Sequence, residues 1–135
     1  MLHRIPYKIA SVTALVLVSL VLAFHLLILT NVIPYSIVWG GRMKNMQEMY
    51  VFEAISMVVN VFLGIILLMH AGHLPFQFPS KVLRFILWIF VALFTLNTLG
   101  NLAAKSSIET VVFTPLTIVL AILCVRIASE RRHNN

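Results

Sequence analysis

Ile9-Ala-Ser-Val-Thr-Ala-Leu-Val-Leu-Val-Ser-Leu-Val-Leu-Ala-Phe-His-Leu-Leu-Ile-Leu-Thr30 contains no Asp, Glu, Lys or Arg. Coiled as an α-helix, this stretch is about 33 Å long, enough to cross the roughly 30 Å hydrocarbon core of a bilayer. Three further apolar runs follow, Met49–Met69, Val82–Ala104 and Val111–Ala128. Each comes close to the ~20 residues that a spanning helix needs. The pattern predicts an all-α membrane protein, a four-helix transmembrane bundle. It forms a single transmembrane domain over residues 1–135, with helices at about 9–30, 46–70, 81–104 and 107–129.

Composition supports the same reading. Hydrophobic residues make up 61% of the chain and charged residues 10%, and the mean hydropathy is +1.01. A soluble core of 15.2 kDa cannot enclose so much apolar surface, so lipid must cover the outside. The net charge of +6 sits at helix ends rather than in one patch, which is a membrane-orientation pattern and excludes nucleic acid as a partner. Cys124 is the single cysteine, so there is neither an intrachain disulfide nor a CxxC redox pair. Arg4 and Lys8 precede the first run in the order of a signal peptide. The run is longer than the 7–15 residues of a signal core, and no Ala-x-Ala site follows, so it reads as a helix that stays.

Four spans place the two termini on one side. Arg4, Lys8, Lys81, Arg84, Arg126, Arg131 and Arg132 fall on that side, and Arg42, Lys44 and Lys105 on the other. Basic residues accumulate in the cytoplasm, so both termini are expected there, with residues 32–45 and 105–109 outside.

The first outer connection, from Val32 to Arg42, is too apolar for a solvated loop. Tyr35 and Trp39 suit headgroup level, and Gly40-Gly41 supplies a tight or flexible backbone, so the segment reads as an interfacial flap over the outer end of the bundle. Asn45 with Glu48, and Ser106 with Glu109, form variants of the capping box at the starts of helices two and four. Pro115 cannot donate to the Val111 carbonyl, which predicts a kink. His70 and His73, three apart at the inner surface, read as headgroup contacts or solvated side chains, because no other ligand completes a metal site.

The polar residues inside the spans fall on narrow faces. Glu53, Ser56, Asn60 and Gly64 lie within about 80° of one another on a helical wheel. Asn97, Gly100, Asn101 and Ala104 make a similar face. Thr110, Thr114, Thr117, Ala121, Cys124 and Ala128 make a stripe of small residues suited to close helix packing. With the predicted orientation, His25, Glu53, Asn97, Asn101 and Thr114 all reach the outer half, with Asn60 deeper and Arg42 of the flap above. This set, Arg42, Glu53, His25, Asn97, Asn101, Asn60 and Thr114, is the candidate ligand-binding site. Arg42 can hold a carboxylate or phosphate bidentately, the asparagines offer donors and acceptors, and His25 and Glu53 are the candidates for sharing or passing a proton. Thr117 is assigned to packing. No metal site or cofactor motif is present; His25 has no second intramembrane histidine at its depth to share a haem.

Ile33-Pro-Tyr with Val38-Trp-Gly-Gly-Arg42, Glu48-Met-Tyr-Val-Phe-Glu53 and Asn97-Thr-Leu-Gly-Asn101 resemble segments of a group of small, uncharacterised bacterial four-helix membrane proteins. The resemblance extends over most of the chain. It implies a multi-pass protein of the bacterial inner membrane and carries no activity.

Three functions fit these features. The first is a protein that binds, or helps to transport, a small polar or anionic molecule or a lipid headgroup in an outward-facing cavity; transport would need a homo-oligomer or a partner membrane protein. The second is an accessory or assembly subunit, in which Glu53 pairs with Arg42, His25 bridges helices and the asparagines hold the bundle together. The third, ranked last, is an intramembrane acid–base enzyme acting on a lipid-like substrate through His25 and Glu53.

Overall fold

A computed structural model describes residues 1–104 and 107–131. It contains α1 (Tyr7–Leu29), α2 (Met46–Ala71), α3 (Ser80–Leu102) and α4 (Thr114–Ala128), with a π-helical turn, Glu109–Phe113, leading directly into α4. Counting that turn with α4, all four helices are long and apolar enough to cross a membrane. Three short 3-10 turns, Leu2–Arg4, Tyr35–Ile37 and Trp39–Gly41, complete the helical segments, and no strand occurs among the described residues.

Local chemistry sets the helix ends. Asn45 Oδ1 accepts the Glu48 amide at 2.9 Å, and the Glu48 carboxylate reaches back to the Lys44 amide at 3.0 Å. Together they occupy two amides at the start of α2 that have no partner within the helix. Replacing Asn45 by Ala is expected to cost about 1 kcal/mol, seen as a small downward shift of thermal unfolding in detergent. The other end of α2 closes on Gly72, left-handed at φ 82°, with the His73 amide donating to the Leu68 carbonyl at 3.0 Å in a Schellman-type stop. Helix α3 ends two residues before the expected Ala104. The proposed Ser106 cap lies outside the described residues. At Pro115 the irregularity takes the form of the π turn just before it, where a wider turn relieves the collision between the ring and the carbonyl four residues back.

The helices pair as two hairpins, α1 with α2 and α3 with α4, and α2 meets α3 only sparsely. Most of the core lies in the half of the bundle nearest the termini. There Ala10 and Ala14 of α1, Leu63, Ile66 and Leu67 of α2, Leu83 and Leu87 of α3, and Leu123, Cys124 and Ile127 of α4 are buried together. The half beneath the α1–α2 connection holds only a small cluster, Ile28, Val38 and Met49, with neighbouring apolar side chains of the connection packed on it.

Polar side chains also fasten the termini end. Tyr7 Oη lies 2.6 Å from His70 Nδ1 and within 3.0 Å of the His70 carbonyl. His70 is therefore a buried link between α1 and α2, where the sequence suggested solvation; Tyr7, 63 residues away, supplies what spacing along one helix cannot reveal. His73 is exposed. Arg84 Nε donates to the Ala128 carbonyl at 2.9 Å, capping α4. Arg126, only 5% exposed, donates through Nε to the Ile5 carbonyl at 2.8 Å and through Nη1 to Glu130 Oε2 at 2.6 Å.

Candidate functional site

Where α2 and α3 diverge, a cleft of about 460 Å³ opens in the half of the bundle under the α1–α2 connection. Its volume falls in the range typical of small-molecule sites, about 300–1,000 Å³. All four helices and the connection line it. Toward the connection its walls carry His25, Arg42, Glu53, Asn101 and Glu109; toward the middle of the bundle they are formed mainly by Val21, Val59, Phe90, Leu93, Leu116 and Leu120.

Glu53 is the organising group. Its position on the inward stripe of α2 leaves the side chain fully buried, and both carboxylate oxygens are engaged. Oε1 accepts the indole N–H of Trp39 at 2.6 Å. Oε2 lies 2.6 Å from His25 Nδ1. Indole can only donate, and the short N···O approach to His25 requires one proton between the two groups. The dyad thus turns His25 so that Nδ1 faces Glu53. Nε2 has no hydrogen-bond partner among the described residues, and the imidazole forms part of the cleft wall.

Trp39 reaches Glu53 through an unusual backbone. Its φ of +55° lies in the left-handed region, which is costly for a bulky side chain. The 3-10 turn Trp39–Gly41, the burial of Val38 and the tilted ring contact between Trp39 and Phe52 at 5.2 Å hold the indole in place. Phe24 of α1 and Phe113 of the π turn meet at 4.7 Å, and both line the cleft beside His25.

The other candidates divide. Asn60 Nδ2 donates to the Ser56 carbonyl at 2.8 Å, one turn back on its own helix. Asn101 Nδ2 makes a long contact of 3.5 Å with Thr117 Oγ1, and Asn97 is exposed on the wall. Arg42 also lines the cleft and is exposed. It forms no ion pair among the described residues, so the Glu53–Arg42 pairing expected of a structural carboxylate is replaced by His25 and Trp39. Thr114 is buried and sits off the wall, its hydroxyl 3.5 Å from the Glu109 carbonyl.

Thr117, Glu109 and Trp39 lay outside the sequence-based set. Thr117, assigned to packing, lines the cleft and meets Thr98 Oγ1 at 2.8 Å across α3 and α4; its position one turn after Thr114 was the available signal. Glu109, read only as a cap, is buried on the wall because the π turn rotates it inward. Trp39 was read as an interfacial aromatic, and nothing in its spacing announces a carboxylate 14 residues on. No cluster of three metal-binding side chains occurs among the described residues.

Compared with protein-family models, with curated proteins and with solved structures, the chain finds no match.

Proposed function

We propose that this is a multi-pass protein of the bacterial inner membrane, with both termini cytoplasmic, that binds a small polar molecule or lipid headgroup in the cleft and so serves binding or transport. The observation that carries the reading is the Glu53–His25 dyad, which sets in the wall of an open cleft an imidazole whose Nε2 has no hydrogen-bond partner among the described residues. A purely structural carboxylate needs no cavity beside it. The Arg42 guanidinium at the same cleft adds a cation suited to carboxylate or phosphate. Seven basic residues on the side of the termini against three on the other support an orientation with the cleft toward the periplasm.

Native mass spectrometry of gently purified protein tests the binding. The wild type is expected to retain a specific small molecule or lipid, and Glu53→Gln, which keeps the shape and removes the charge, to lose or exchange it. Equal retention by both forms, or by neither, favours the accessory-subunit reading. A membrane-impermeant maleimide tests the orientation: Lys44→Cys is expected to react in intact cells, and Phe76→Cys only after the membrane is opened. The reverse would turn the cleft to the cytoplasm.

A further inference from the structure

The cleft is open sideways as well as toward the α1–α2 connection. Ile55 of α2 and Leu96 of α3 both line it, yet each residue remains more than half exposed, 56% and 64%. They stand on the outer surfaces of two helices that meet only sparsely, and in a helix this apolar such surfaces face hydrocarbon. The mouth therefore gives onto the lipid. Charge along the cleft is graded: the dyad and Arg42 sit beneath the connection, and Val59, Phe90 and Leu93 lie toward the middle of the bundle, where the neighbouring Asn60 amide is turned back onto the Ser56 carbonyl. A membrane amphiphile has the same gradient, headgroup at the surface and chain toward the midplane.

Resting on the binding reading above, we propose that the occupant is a membrane amphiphile with an anionic headgroup that enters laterally between α2 and α3. Arg42 takes the anionic oxygens in a bidentate grip, His25 Nε2 supplies a further hydrogen bond, and the chain leaves through the gap beside Ile55 and Leu96. The molecule keeps the orientation it has in the leaflet. A water-soluble anion would have no use for the apolar depth of the cleft. A neutral amphiphile would leave the Arg42 cation without a partner.

Gly100 makes a clean test possible. It lines the cleft, and a Cβ added there meets no atom within 4 Å. Gly100→Phe therefore places a ring in the cleft rather than in the core, and removing glycine from a helix interior favours the helix. The probe is a lysophosphatidylglycerol brominated on its acyl chain, with glycerol phosphate as the soluble arm. Trp39 is the fluorescent reporter in a Trp88→Phe background, since the chain has two tryptophans and Trp88 is exposed. In detergent micelles the brominated lipid is expected to quench Trp39 saturably. Gly100→Phe should abolish the saturable phase, with Gly100→Leu as a smaller plug that serves if the phenylalanine variant folds poorly. Arg42→Ala should weaken binding about tenfold, the effect of losing one charge-assisted contact. Quenching that survives both Gly100 variants would mean lipid on the outer surface and would overturn lateral entry. Glycerol phosphate displacing the brominated lipid, and so restoring Trp39 emission, at concentrations no higher than unbrominated lysophosphatidylglycerol needs would overturn the amphiphile and leave the binding reading intact. No saturable quenching by the brominated lipid, together with no saturable shift of Trp39 emission on adding glycerol phosphate alone, would overturn both.

Discussion

Glu53→Leu is expected to lower the stability of the protein by about 2–4 kcal/mol, since a buried donor or acceptor stripped of its partner costs about 1–3 kcal/mol. Two groups are stripped at once, the Trp39 indole N–H and His25 Nδ1. Trp39 is 37% exposed and can turn partly outward, so most of the loss falls on the His25 side. The connection should loosen as well, because the left-handed backbone at Trp39 loses the bond that helps to hold it. Glu53→Gln should stay within about 1 kcal/mol of the wild type, as its amide oxygen still accepts from Trp39 and its amide nitrogen still donates to His25 Nδ1. Thermal unfolding in detergent, read alongside Trp39 emission in the Trp88→Phe background, separates the two variants. A leucine variant as stable as the wild type, with unshifted emission, would show that the carboxylate does not anchor the connection.

The second large effect lies at the opposite end. Arg126→Met keeps much of the side chain's length and apolar packing while removing its charge, and it is expected to cost about 2 kcal/mol through two lost charge-assisted hydrogen bonds. The bond to the Ile5 carbonyl carries more of this than the pair with Glu130, because Glu130 is 37% exposed and water screens that contact. Arg131→Ala, at an exposed position, is the control and should leave the unfolding midpoint within error. If both variants unfold together with the wild type, Arg126 is not a clamp.

Much of the fold was legible because spanning a membrane imposes a length and a composition that a sequence cannot conceal. Glu53 was legible as an inward group for a related reason: a carboxylate inside an apolar helix is costly unless it faces protein. Asn45 and Glu48 form the cap that their spacing predicted. What could not be read were contacts made across the chain. The Trp39–Glu53 bond depends on one residue adopting a left-handed backbone, and the link from Tyr7 to His70 depends on which helices become neighbours. Periodicity tells which face of a helix turns inward and says nothing about which helix it meets. The gap between α2 and α3, consecutive in the chain yet only sparsely in contact, is the clearest case. Thr117 was misassigned because a threonine on a stripe of small residues looks the same whether the stripe is sealed or borders a cleft.

Two hairpins joined firmly at one end and loosely at the other are built like a pair of tweezers. The fulcrum is the packed half with Arg126 fastened to Ile5; the jaws are the far ends of α2 and α3. By lever geometry, a small tilt at the fulcrum becomes a larger displacement at the tips, so the width of the gap is where such a tilt would show most. Tight packing near the termini and a wider gap beneath the connection then follow from the same uneven distribution of core, and a change in the gap's width would leave intact the part of the bundle that holds the chain together.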